Sequence, residues 1–347
     1  MILDKIQYFH KPTTMMNPIE SIHIHISYPP AESSIDLLRS LLVKRFDVST
    51  GEEIVHPESV HYLVSGRPTQ DEIKRCSNLK AVIIPFAGIP SEMRAVMRAF
   101  PHVGVHNLHH NAIVVVEMTL ALLLAACKHI ISPHEALRHN DWRPRYAPNP
   151  AMLLQGKTAL LLGYGEIGSR LAKVLYALDM HILAIRKSIS SLDRDRFAMV
   201  YPTQSLHRVL PRANVLINTL PLTPQTKSMI GEKELFLLPR GAVVVNVGRG
   251  EVIDQYAFFQ ALKNNHLGAA AIDVWYNYPE DEPSRAHTTP AEFPFTELEN
   301  VVLSPHRAGG LHSQDTERLR MEHLAALLNH AAHGEPLPNR VELSRGY

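Results

Sequence analysis

Ile22, Ile24 and Ile26 alternate with His23, His25 and Ser27, the period-two signature of a strand with one buried face. The stretch SSIDLLRSLLVKRF that follows carries its apolar residues at helical spacing. A second strand, VHYLVSG, leads to Thr69-Gln70-Asp71-Glu72, a sequence that satisfies free N–H groups reciprocally at a helix start. LKAVIIPFAG is a third strand, completing a small β/α layer. The apolar run from Ala112 to Cys127 carries Glu117 and Thr119. At about 1.5 Å per residue it is too short to cross a bilayer of about 30 Å, so a buried helix is expected. A loop with Asp141, Trp142 and Pro144 then precedes a second series from Lys157: strands TALLLGYG, HILAIRKS, NVLINTL, AVVVNVGRG, AAAIDVW and NVVLSPH, separated by helical segments. Short, nearly all-apolar strands between helices predict parallel sheets covered on both faces, an α/β architecture. A final helix, Ser313 to His333, is expected to return to the first layer. The expected organisation is therefore a first domain over 18–106, an inserted unit over 107–309, and a returning segment over 310–347. Residues 1–17 have no apolar core run and no small-residue cleavage site, and receive no role.

Length and charge narrow the function. At 347 residues the chain is long enough for two cores. Lys and Arg total 35 against 34 Asp and Glu, which leaves no excess positive charge for nucleic acid or an anionic membrane and points to small-molecule partners. Two cysteines, Cys76 and Cys127, fit a reducing compartment, here the cytoplasm, and read as buried fillers. The 21 histidines include His23/His25 and His106/His109/His110. No nearby Asp, Glu or Cys completes a ligand set in the sequence, so no metal is expected.

Gly163-Tyr164-Gly165-Glu166-Ile167-Gly168 follows a strand and opens a helix, the context in which G-x-G-x-x-G binds a dinucleotide. The first glycine permits the tight turn, the second admits pyrophosphate to the backbone, and the third lets helix and strand pack closely. The free N–H groups and positive dipole end of the helix face the phosphates. The next strand ends Ala184-Ile185-Arg186-Lys187-Ser188, without the acid that would bind an NAD ribose. Two cations and a hydroxyl suit a 2′-phosphate, so NADP(H) is favoured, with NAD(H) the alternative if these cations are only solvated.

From about residue 80 onward the chain resembles the D-isomer-specific 2-hydroxyacid dehydrogenase family, which includes glyoxylate/hydroxypyruvate reductases, phosphoglycerate dehydrogenases and formate dehydrogenases. The resemblance rests on NAIVVVEMTLALLL (111–124), the glycine loop, Leu220-Pro221-Leu222-Thr223 with Thr226, Val245-Asn246-Val247-Gly248-Arg249-Gly250, Ala271-Ile272-Asp273-Val274 and NVVLSPH (300–306). It implies a Rossmann dinucleotide-binding domain inserted into a flavodoxin-like substrate domain, and a homodimer built on the 112–130 region. It also implies that Leu220, Pro221, Thr226, Val247 and Gly248 border the cofactor and that Asp273 orients the nicotinamide amide. Arg249 would bind a carboxylate and polarise its carbonyl, and His306 would be the acid/base. Backbone N–H groups of Phe86-Ala87-Gly88 would meet the carboxylate, and Asn111 would lie near it. The reaction implied is hydride transfer between the nicotinamide and a small 2-oxo or 2-hydroxy acid.

One departure stands out. Relatives carry Glu five residues after the Asp273 position, paired with the histidine; here Tyr278 occupies that slot. Glu280, Asp281 or Glu282 could fold back in its place. Without a carboxylate, His306 should titrate near or below its ordinary value of about 6.5 and favour the proton-accepting form. Formate dehydrogenases also place a neutral side chain in this slot, so oxidation of a formate-like or phosphorus oxyanion is an alternative. A non-enzymatic dinucleotide sensor on the same fold is another. Arg307, where relatives are usually apolar, suits either a dianionic substrate or a surface ion pair.

Overall fold

In the computed structural model, residues 21–43, 45–187, 189, 195–310 and 313–344 are described. Ser188 and residues 1–17 lie outside them. The first sheet comprises β1 (Ile22–Ile26), β2 (Phe46–Thr50), β3 (Val60–Val64), β4 (Ala81–Ile84) and β5 (Gly104–Asn107), all parallel, in the order β2-β1-β3-β4-β5. Helices α1 (Glu32–Leu41), α2 (Gln70–Arg75) and α3 (Ser91–Met97) connect its strands. Thr69 and Glu72 close the expected capping box on α2, with Glu72 N–H donating to Thr69 Oγ1 at 3.2 Å and Thr69 N–H to Glu72 Oε2 at 2.6 Å.

Helices α4 (Ala112–Cys127), α5 (Ile131–Arg138) and α6 (Arg143–Tyr146) lead to the second sheet. That sheet holds β6 (Thr158–Leu162), β7 (His181–Arg186), β8 (Met199–Pro202), β9 (Val215–Asn218), β10 (Ala242–Asn246), β11 (Leu267–Ile272) and β12 (Val301–Leu303) in the order β12-β11-β10-β9-β6-β7-β8, again all parallel. Helices α7 (Glu166–Ala177), α8 (Leu206–Val209), α9 (Glu232–Leu237) and α10 (Gln255–Lys263) serve it, and α11 (Gln314–Ala332) follows its last strand. The strand order reverses direction between β6 and β9, which opens a crevice at their carboxyl ends, the standard ligand position in such sheets.

Two chain crossings join the halves. Leu108 belongs to the core of the first sheet, whereas Val115, Val116, Leu122 and Leu123 of α4 are buried against β6, β9, β10 and β11. Ala308 sits in that second core, and Met321, Leu324 and Leu328 of α11 return to pack on α1 and β1. Burying each such side chain contributes about 1.5–3 kcal/mol, which holds α11 to the first sheet. Both cysteines are buried and free. Three strands, β2, β5 and β8, escape the sequence pattern. All three are sheet edges, where one side needs no cover and alternation weakens; β8 (MVYP) has no fully buried residue.

Candidate active site

The dinucleotide turn is built by β6 and α7. Gly163 has φ +98°, and a Cβ there would come within 2.7 Å of Thr219 Oγ1. A side chain on Gly168 would collide with the Gly163 carbonyl, whereas at Gly165, the N-cap of α7, nothing lies within 4 Å. The backbone at the helix N-terminus is therefore open where phosphates would approach, and these residues fit a dinucleotide. Tyr164 departs from expectation: its side chain is buried in the core and its hydroxyl donates to Asp195 Oδ2 at 2.6 Å, which leaves only its backbone for a ligand. Ile167 is half-buried against the same core. Glu166 is exposed and pairs with Arg170 at 3.5 Å. Arg186 and Lys187 are exposed at the carboxyl end of β7. Thr226 turns inward, its hydroxyl donating to Pro221 O at 2.7 Å, so it shapes the 221–226 loop.

Across the crevice, the loop after β4 meets the turn after β10. A side chain at Gly88 would run into Arg249 Nη2, so only glycine lets the guanidinium lie against this loop. Asn107, at the end of β5, donates to Ala87 O at 2.5 Å and fixes the loop. Arg249 Nη1 donates to Gly248 O at 2.7 Å. Burial pulls the Arg249 pKa below its ordinary value, with Tyr278 opposing this slightly, and no carboxylate among the described residues pairs with the guanidinium. A desolvated cation in that position is poised to take an anion from solution.

His306 lies on the loop after β12 with φ +55°, a conformation uncommon outside glycine. Asp273, at the end of β11, imposes it. The wholly buried carboxylate accepts from the backbone N–H of Arg307 at 2.8 Å and of Ala308 at 3.0 Å, and from the Ser304 hydroxyl. Asp273 thus holds the histidine loop, its three donors taking most of the roughly four acceptor positions of the carboxylate. Asn111 lies against the same loop, its Nδ2 3.2 Å from where a Cβ on Gly309 would stand. The Arg307 side chain is exposed.

The Tyr278 ring packs beside the His306 ring, centroids 5.4 Å apart and tilted by 54°. Its hydroxyl accepts from Trp275 N–H at 2.9 Å and does not bond the imidazole. None of the three acids in the following insertion replaces the missing carboxylate: Asp281 accepts from Ser284 N–H at 2.8 Å and Glu282 pairs with Arg285 at 3.3 Å. Among the described residues neither these nor Glu280 bonds His306. Partial enclosure lowers the His306 pKa from 6.5, and Arg249 lowers it further against a small opposing effect of Asp273. The direction is the one expected from the sequence, although desolvation rather than the lost carboxylate is the leading cause.

Asn107, Asn218, Asn246 and Ser304 have positioning roles that the sequence motifs leave unassigned. Their signal is a polar residue at the carboxyl end of an otherwise apolar strand, as in VLIN and AVVVN. His23 and His25 form no metal set. His23 bonds Ser59 Oγ at 2.6 Å and Ser49 Oγ at 2.7 Å, while His25 bonds Ser49 Oγ and Gly51 O, each at 2.9 Å.

Two parallel α/β units, a glycine turn opening a helix, and an arginine and a histidine on one crevice make up an α/β architecture with a turn that fits a dinucleotide. Residues 120–308, more than half of the chain, match the family described as D-isomer specific 2-hydroxyacid dehydrogenase, NAD binding domain, and the chain belongs to that family. It is 37% identical over 231 residues to a glyoxylate reductase of Aeropyrum pernix, a match covering 65% of each chain. It is 28% identical over 332 residues to a D-3-phosphoglycerate dehydrogenase of Methanocaldococcus jannaschii, covering 93% of this chain and 60% of that one. The chain thus spans less than two thirds of the length of these relatives. Among solved structures, a putative formate dehydrogenase from Pyrobaculum aerophilum superposes with a TM-score of 0.76 at 28% identity, over 94% of this chain and all of that one.

Proposed function

We propose that this chain, with domain limits at 18–106, 107–309 and 310–347, is a cytoplasmic NADP(H)-preferring oxidoreductase of small 2-oxo and 2-hydroxy acids. The observation that carries the reading is the seating of the half-buried Arg249 guanidinium, paired by no carboxylate among the described residues, against Gly88 and beside the Tyr278–His306 pair. The glycine turn would hold the nicotinamide dinucleotide, which supplies or accepts the hydride when bound. Arg249 binds the substrate carboxylate through its fork of N–H donors, and its charge polarises the adjacent carbonyl. Backbone N–H groups of Ala87 and Gly88 complete the carboxylate site, and Asn111 borders it. His306 gives its proton to the carbonyl oxygen during reduction and removes it from the hydroxyl during oxidation. Arg186 and Lys187 at the end of β7 favour the 2′-phosphate of NADP(H). The homodimer expected on the 112–130 region draws support from the exposed Ile113 and Ile130 and from the apolar side chains of α5 and α6 that follow.

The test is absorbance-monitored turnover with NADPH and with NADH against glyoxylate, hydroxypyruvate, pyruvate and longer 2-oxo acids. NADPH-dependent reduction of at least one acid, lost in His306→Ala, is the expected result. A clear NADH preference overturns the cofactor assignment. Dinucleotide binding without turnover of any acid moves the weight to a sensor. Turnover of formate or phosphite alone establishes the second reading, which the absence of a carboxylate on His306 favours.

A further inference from the structure

Gly248 is sandwiched in a way that the substrate and cofactor roles do not require. A side chain there would lie 2.7 Å from Leu220 O, 2.9 Å from Leu220 N and 2.8 Å from Asn218 Nδ2. On its other side the 219–220 segment presses on the dinucleotide turn: Thr219 Oγ1 donates to Leu162 O at 2.9 Å, and a Cβ on Gly163 would meet Leu220 Cδ2 at 3.3 Å. Residues 218–220 therefore stand between the phosphate turn and the arginine turn, touching both.

The joint is a pair of buried amides, Asn218 and Asn246, with 0% and 1% of their surfaces exposed. Asn218 Nδ2 donates to Asn246 Oδ1 at 2.9 Å and to Arg249 O at 3.4 Å. Asn246 Nδ2 donates to the same Arg249 carbonyl at 3.2 Å. Backbone N–H of Gly248 donates to Asn246 Oδ1 at 3.3 Å, and that of Leu220 to Asn218 Oδ1 at 3.0 Å. Because a backbone N–H can only donate, these last two bonds fix which atom of each amide is oxygen. All polar atoms of both side chains are thereby used. Two buried amides at the ends of adjacent parallel strands would be costly if left unpaired, and here their bonds go to the backbone that aims Arg249.

We propose that Asn218 and Asn246 are positioning residues: they clamp the Arg249 carbonyl so that the guanidinium meets the substrate carboxylate, and Asn218 ties that clamp to the loop bordering the dinucleotide. The proposal rests on the reading of Arg249 as the carboxylate binder. Its test is a double-mutant cycle on KM for the 2-oxo acid, comparing wild type, Asn218→Leu, Arg249→Lys and the double variant. Arg249→Lys raises that KM by tenfold or more, roughly what one lost charged contact costs. Asn218→Leu raises it by about tenfold in wild type but less than about twofold in the Arg249→Lys background, because there is then no fork left to aim. Equal effects in both backgrounds, or none in wild type, overturn the clamp while leaving Arg249 as the binder. An unchanged KM in Arg249→Lys overturns both. If Asn218→Leu does not fold, Asn246→Ser, which loses the donor to Arg249 O, is read in the same cycle.

Discussion

At the residue scale, the chemistry turns on what stands beside His306. A carboxylate in the Tyr278 position would stabilise imidazolium; a phenol bonded to Trp275 N–H does not. Partial desolvation disfavours its charge and Arg249 adds repulsion, and both shift the histidine toward its neutral form. On the proposed reading, the proton-donating form needed for reduction is therefore populated mainly on the acid side. The kcat/KM for 2-oxo acid reduction should fall as pH rises through a value below 6.5, while that for 2-hydroxy acid oxidation rises. Tyr278→Glu should move the alkaline limb of the reduction profile upward by about one unit or more. A wild-type reduction optimum above about pH 8 contradicts this. The glycine loop, Arg249 and His306 stand out in the sequence because few other residue types could do what is proposed for each of them. Asp273 also stands out in its motif, and the fold adds what local pattern does not record: its carboxylate is turned to the histidine loop.

At the scale of elements, the apolar strands, the capped α2 and the buried α4 follow from local pattern alone. Edge strands β2, β5 and β8 do not, since their pairing depends on neighbours far away in sequence. Helices α5 and α6 are the converse case: regular structure with no buried residue of their own. Leu137 is 48% exposed, Trp142 60% and Tyr146 80%, so this segment presents apolar side chains to whatever lies outside the chain. A second copy is the proposed occupant. Sedimentation at micromolar concentration should give the mass of a dimer, and Leu137→Glu should raise its dissociation constant by at least about tenfold, the effect of a charge placed in an apolar contact. A wild-type monomer at that concentration removes the dimer.

At the scale of the whole molecule, His110 lies at the crossing from the first core to the second, buried with its Nδ1 unpartnered. Burial, then Arg320, His323 and His109, hold its pKa down at about 3. A histidine with a depressed folded pKa takes up its proton in the unfolded chain first. The stability it preserves is complete above about pH 6.5 and is lost progressively as pH falls toward about 3. Between pH 7 and 5 this site alone should cost about 2 kcal/mol, seen as a fall in the midpoint of the first urea transition. His25, His106, His109 and His323 are shifted the same way and add to it. His110→Gln should show a shallower pH dependence, and identical slopes in the two proteins would falsify the assignment.

The parallel α/β class, the glycine turn, and the arginine and histidine of the crevice can all be read from the amino-acid order, because they are written in local periodicity and in residues with few substitutes. Folding in three dimensions settled the rest. It set the Arg249 guanidinium against Gly88, some 160 residues away in the chain, turned Tyr164 inward, gave Asp273 to the histidine loop, and joined Asn218 to Asn246 across adjacent strands. Each of these is a contact between distant segments, and the free energy that fixes it comes from burying their partners together, which no local pattern records.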